Sequence, residues 1–121
     1  MSAGRTPTLL HDPLRNARRV REIYAARGGR SGLLANEESK AAVLWHLIVM
    51  GEAAKRLGEP FHEAHPTVPW RGVITQRNFL AHGYDVTDWD LILEVIEDRL
   101  PPFIEEIGKV LATYTPPGST L

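Results

Sequence analysis

At 121 residues the chain is long enough for one compact domain with a real core and too short for two. Apolar residues at 43% and charged residues at 24% argue against wholesale disorder, and the absence of cysteine excludes disulfides, thiolate metal sites and a cysteine nucleophile. The net charge of −1 is unevenly spread: residues 1–30 hold seven arginines against Asp12 and Glu22, a net of +5, which leaves −6 for the remainder. That asymmetry reads either as a basic end facing phosphates or as two solvated faces of a small protein.

Residues 1–11 show no periodicity and read as a disordered lead-in, with the helical domain expected over 12–115 and a tail over 116–121. Asp12-Pro13 has the form of a helix start, Asp as N-cap and Pro at the first helical position. Leu14, Ala17, Val20, Ile23 and Tyr24 then recur at helical spacing. Arg27 to Gly32 is glycine-rich and predicts a loop, but it lacks the Gly-Lys-Ser/Thr ending of a phosphate-binding P-loop.

Asn36 caps a long second helix that has Glu37 and Glu38 in its first turn, Lys55 and Arg56 in its last, and Gly58 as its stop. Leu44, Leu47, Ile48, Gly51 and Ala54 form one row on it, and Trp45 and Val49 form another. A helix apolar over so much of its girth is expected to be buried on two sides, inside the domain or against a partner. Glu52 falls on the row of Trp45 and Val49, where a carboxylate needs a partner: an ion pair is the structural reading and a place in the site the functional one.

Glu59–Pro69 reads as a loop region with at most one helical turn. His62-Glu63-Ala64-His65 lacks the four-residue spacing of a His-Glu-x-x-His metal motif, and no metal is expected there. A third helix runs from about Pro69 to His82 on Trp70, Val73, Ile74 and Leu80. Thr87-Asp88-Trp89-Asp90 resembles a capping box, with Thr87 as cap, for a fourth helix over Leu91, Ile92, Val95, Ile96 and Leu100. Pro101-Pro102 is expected to break or kink it before Phe103, Ile104, Ile107, Val110 and Leu111 continue the pattern. No strand pattern appears, so the fold class is all-α, a four- to five-helix up-and-down bundle. The longest apolar stretch, Ala41–Met50, is interrupted by His46 and far short of the roughly 20 residues needed to span a bilayer. Met1–Leu10 lacks the core of a signal peptide, so the expected location is cytoplasmic, with no membrane association.

The stretch from Gln76 to Tyr84 gathers the chemistry. Arg77, His82 and Tyr84 place a permanent cation, an imidazole and a phenol at the end of a short helix, with Gly83 as its stop. Arg77 and Tyr84 share a helical face, while His82 points about 140° from Arg77. In a last turn, the helix dipole favours protonated His82 and suits it to acid or base work near neutral pH. Asn78 is placed either to orient a phosphate or to cap a neighbouring helix end.

Gly51-Glu52-Ala53-Ala54-Lys55, Pro69-Trp70, Ile74, Arg77-Asn78 with His82 and Tyr84, and Leu100-Pro101 together resemble the HepT toxins of the HEPN superfamily of helical nucleases. The likeness spans about residues 36–112, and the arginine-rich first helix lies outside it. The resemblance implies a metal-independent, cofactor-free endoribonuclease toxin of a type VII-like toxin–antitoxin pair, acting as a homodimer with both motif copies in one cleft. Arg77 and His82 match the catalytic pair, and Asn78 and Tyr84 stand as positioning residues. It implies also that a minimal nucleotidyltransferase antitoxin neutralises the toxin by adenylylating Tyr84. The substrate is RNA, either transfer RNA or message. The alternative is a non-catalytic helical module that binds a nucleotidyltransferase or a nucleotide, with Arg77 and His82 serving only to pair.

Overall fold

The computed structural model describes residues 5–83 and 88–114, and their side chains over 9–80 and 88–114. The described residues form helices α1 (Arg5–Ala26), α2 (Arg30–Leu34), α3 (Glu37–Arg56), α4 (Glu59–Ala64), α5 (Trp70–Gly83), α6 (Trp89–Glu94) and α7 (Leu100–Ala112). A π-helical segment, Val95–Arg99, joins α6 to α7. No strand occurs among the described residues, and the all-α bundle reading holds. None of these helices is long and apolar enough to cross a membrane.

The central pair is α1 on α3. Asn16 meets His46 and Arg27 meets Ser39, so the two helices run antiparallel. α3 packs on α5 along its other side, and α7 closes the bundle against α1. Leu10, Val20, Leu47, Met50, Ile96, Phe103 and Ile107 form a single core between them. Each such side chain contributes about 1.5–3 kcal/mol by leaving water, which decides several local conflicts below.

The first conflict is at Pro13. α1 does not start at Asp12 but runs from Arg5, with Pro13 inside it, so helix occupies part of the expected lead-in. Proline forfeits one backbone bond there. Leu10 is fully buried and Leu14 nearly so, and their packing on both sides of the proline favours a continuous helix over a stop. The second is the expected loop after Arg27. Its turn is confined to Gly28 and Gly29, whose φ values of 76° and 102° suit glycine, and the chain re-enters helix at Arg30. Buried Leu33 anchors that short helix, and a Cβ at Gly32 would lie 1.7 Å from the carbonyl oxygen of Arg27.

α3 begins where its sequence signals say, with the Asn36 side chain accepting from the Ser39 backbone N–H at 2.8 Å. At α6 the cap is Asp88, which accepts from the N–H groups of Asp90 and Leu91; Thr87, the expected cap, lies outside the described residues. Pro101 and Pro102 do not break the chain into two separated helices. They occupy the first positions of α7, and the preceding turn widens so that the Leu100 N–H reaches the carbonyl of Val95, five residues back. This leaves the Ile96 carbonyl without a donor, since Pro101 has no N–H, and the Arg21 guanidinium on α1 supplies one at 3.1 Å.

Candidate active site

The α3–α5 seam is built around a glycine. A Cβ at Gly51 would lie 2.1 Å from Cβ and 2.7 Å from Cγ of Arg77, and 3.2 Å from the Val73 carbonyl oxygen. Only glycine allows the Arg77 stem to lie directly on α3 at this level. Small neighbours, Ala53 and Ala54, are buried in the same turn. The next residue along, Glu52, forms an ion pair with the guanidinium so brought across.

Arg77 is thereby fixed by both of its terminal nitrogens. Nη2 pairs with Glu52, and Nη1 donates to the Asn78 side-chain oxygen at 2.7 Å. Nε is buried and has no hydrogen-bond partner. Two of the five guanidinium N–H groups are engaged, and each terminal nitrogen keeps one more. The arginine side chain is 21% exposed and Glu52 37%, so the pair sits at the surface end of the seam rather than inside the core. What this arrangement offers is an oriented cation, held by a carboxylate behind it and available to an anion in front. Asn78 does not stand apart from the cation: its side-chain oxygen accepts from Arg77.

α5 runs on to Gly83, so position 82 lies in its last turn, one turn beyond Asn78. The His82 side chain and the whole of Tyr84 lie outside what the structure describes. Arg77, Asn78 and Glu52 are thus brought together, with His82 placed by backbone register alone. The sequence reading did not foresee that Gly51 and Arg77 are one contact. Its signal was a glycine in the middle of an otherwise good helix, which costs about 1 kcal/mol unless a close approach requires it.

Around this point the α3 surface is open. Trp45 is 59% exposed and Val49 is half-buried, on the row that leads to Glu52, so the second apolar row of α3 is only partly covered by the described residues. On the other flank of α5 an apolar cleft of about 450 Å³ runs to α6, with Phe79 and Leu91 exposed in its wall. The Nε2 atom of Gln76, which also lines it, is buried without a partner.

His62 on α4 and His65 just after it both pack against neighbouring side chains. His62 Nε2 donates to the Ala54 carbonyl at 2.7 Å and its ring stacks on Trp70, while His65 lies 3.3 Å from the Tyr114 hydroxyl. His46 meets the Asn16 side-chain oxygen at 2.7 Å, and burial followed by the nearby Arg19 charge pushes its pKa below the ordinary histidine value.

Comparison with known proteins fits this geometry. The family model described as Ribonuclease HepT-like matches residues 14–110, most of the chain and all of the described seam. The chain belongs to the HepT-like ribonuclease family. Its similarity to individual members is moderate. "Putative RNase MJ1380" of Methanocaldococcus jannaschii is 28% identical over 110 residues, covering 91% of this chain and 100% of that protein. "Putative RNase MJ0127" of the same organism is 33% identical over 78 residues, 64% of each chain. "Probable ribonuclease HepT" of Thermococcus cleftensis is 29% identical over 77 residues, 64% of this chain and 70% of that one. No solved structure gives a significant match.

Proposed function

We propose that the chain is an endoribonuclease toxin that cuts RNA by attack of its own 2′-hydroxyl, with Arg77 and His82 as the catalytic pair. The observation that carries this reading is the preset Arg77: a guanidinium seated over Gly51, oriented by Glu52 and steadied by Asn78. In such a cleavage the 2′-oxygen attacks phosphorus, a base takes its proton, and the P–O5′ bond breaks as an acid protonates the departing oxygen. The products are a 2′,3′-cyclic phosphate and a 5′-hydroxyl. Imidazole suits both proton transfers near neutral pH, and Arg77 balances the charge that grows on the phosphorane oxygens. Glu52 is a positioning residue, because it touches the arginine and not the substrate.

One proton acceptor and one proton donor require two imidazoles or one imidazole used twice. A second copy of the chain supplies the second, and the exposed Trp45 and Val49 next to Glu52 offer it an apolar face. Tyr84, two residues beyond His82, is the target for adenylylation by a nucleotidyltransferase antitoxin; the added phosphate brings negative charge to a site that binds phosphates.

The pairing of Arg77 with Glu52 also suits a helical module that only binds, so the test must read turnover. Purified protein in EDTA is expected to cleave a labelled RNA to cyclic-phosphate ends. His82→Ala and Arg77→Ala should slow it by about 100-fold or more. A parent that leaves RNA intact, or a His82→Ala variant as fast as the parent, sinks the ribonuclease reading.

A further inference from the structure

At the end of the α3–α5 seam nearest α4 lies an open hollow of about 360 Å³, lined by Lys55, Glu59, His62, Arg71, Ile74 and Thr75. Two permanent cations, an imidazole and a hydroxyl there face a single carboxylate. Lys55, Arg71 and Thr75 are exposed, and neither cation forms an ion pair with any described residue. This sets them apart from most other cations on the surface. Arg15, Arg19, Arg30, Lys40, Arg99 and Lys109 each have a carboxylate within 4 Å. The hollow's imidazole is held in place, its Nε2–H on the Ala54 carbonyl and its face on Trp70, so it shapes the wall of the hollow.

One face of α5 leads from the hollow toward the candidate active site. Positions 71, 75, 78 and 82 follow one another at intervals of four, three and four residues, so they share a stripe of the helix. Arg71, Thr75 and Asn78 are all exposed on it, and Asn78 touches Arg77. From Arg71 to Asn78 is about 10 Å along the axis, and to position 82 about 16 Å. At the roughly 3.4 Å axial spacing of phosphates along one stacked strand, that is about three to five phosphates.

We propose that Lys55, Arg71 and Thr75, around the fixed ring of His62, form a second phosphate subsite, which grips the backbone of a single-stranded RNA a few nucleotides from the bond to be cut. The subsite rests on the ribonuclease reading for its ligand, yet it is testable without turnover. Two cations converging on a hollow attract a phosphate at long range, the threonine hydroxyl adds a neutral donor, and none of these contacts reads a base. The subsite therefore confers affinity and register on the strand, and it leaves sequence choice to the region around Arg77.

The test uses a single-stranded RNA carrying 2′-O-methyl groups, which cannot supply the attacking hydroxyl, so binding is read apart from cleavage. Its dissociation constant is measured across a salt series for the full chain and for the double variant Lys55→Ala/Arg71→Ala. Loss of two phosphate contacts should lower the slope of log affinity against log salt by about 1.4, at about 0.7 per contact for single strands. Both residues are exposed, so thermal melts of variant and parent should coincide. Arg18→Ala, which removes one exposed cation from α1, is the control and should leave the slope unchanged. A double variant with the parent's affinity and slope overturns the subsite, as does a parent that binds no RNA. A slope that falls with Arg18→Ala and not with the double variant places the strand on α1 and overturns it as well. A parent that binds the methylated RNA with the expected salt dependence but cuts no unmodified RNA refutes the ribonuclease reading and leaves the subsite standing.

Discussion

Among the described residues, a guanidinium–carboxylate contact ties α2 to the π-helical segment and another ties α5 to α3, and the two differ in how completely their polar groups are used. Where α1 and α2 meet the π-helical segment, Arg21 caps the Ile96 carbonyl, Arg30 grips Glu97 through two nitrogens at 2.7 and 2.6 Å, and the Tyr24 hydroxyl donates to the same carboxylate. That network completes a backbone bond that Pro101 cannot make. At the α3–α5 seam, by contrast, Arg77 Nε is buried with no partner, and two further guanidinium N–H groups have none among the described residues. A polar cluster that satisfies itself does its work inside the chain. One left short of partners gains them only from something outside it, which is why the seam reads as a site and the network as a clasp.

The comparison breaks most sharply at the glycines. Gly51→Ala puts a methyl group 2.1 Å from the Arg77 Cβ, an atom at the base of its side chain that moves only with α5. The seam must open, at a cost of about 1–3 kcal/mol of stability read from a lowered urea midpoint, and RNA cleavage should fall with it because the arginine leaves its seat. Gly108→Ala on α7 meets nothing within 4 Å and should instead stabilise by about 0.5–1 kcal/mol, as alanine does in an open helix. Equal effects of the two substitutions would mean that Gly51 carries no close contact.

A smaller effect is expected on the clasp. Arg21→Ala leaves the Ile96 carbonyl with no donor from the protein, and unfolding should become easier by about 1 kcal/mol, since water can reach this partly buried group. Cleavage of RNA should be unchanged, because the clasp lies across the bundle from the seam. A variant as stable as the parent shows that the carbonyl is already solvated and the arginine idle.

How far these features could be read from the sequence follows from how local their causes are. The Asn36 cap, the acidic and basic ends of α3 and the apolar rows of α7 depend on residues within a turn or two of each other, and their signals are direct. Pro13 misled because a local rule, proline at a helix start, competed with the burial of Leu10, and only the fold shows that Leu10 has a core to enter. Pro101 and Pro102 announce a disturbance, yet a π-helical turn belongs to neither the 3.6 nor the 2 period, and the donor that rescues it comes from α1. At the seam, the sequence shows Gly51, Glu52 and Arg77 as three separate signals. Their union is a contact across 26 positions that no spacing rule encodes. The stripe of Arg71, Thr75, Asn78 and position 82 was legible by helical arithmetic alone, but Lys55 and His62 come to it from other helices.

Acid sharpens the contrast between clasp and seam at the smallest cost to the molecule. Arg30 and then the Tyr24 hydroxyl, both bonding to its carboxylate, hold the Glu97 pKa at about 2, below the ordinary value of 4.5. The folded state therefore binds a proton at Glu97 less readily than the unfolded chain does. Its contribution is fully present above about pH 4.5 and is lost as pH falls toward 2. Because Arg30 is exposed and Glu97 only half-buried, solvent screens the pair and the effect is a modest fall in melting temperature over that window. Glu97→Gln should remove that part of the pH dependence and lower the melting temperature at neutral pH, where the parent's carboxylate is ionised. His46 acts in the same direction at higher pH, since its lowered pKa makes folding less favourable as pH drops below about 6.5. Melting curves of the parent and Glu97→Gln should therefore run parallel from pH 7 to 5 and converge only below 4.5. Curves that stay parallel down to pH 2 would assign the acid sensitivity to other groups, His46 among them, and leave the clasp without a measurable charge contribution.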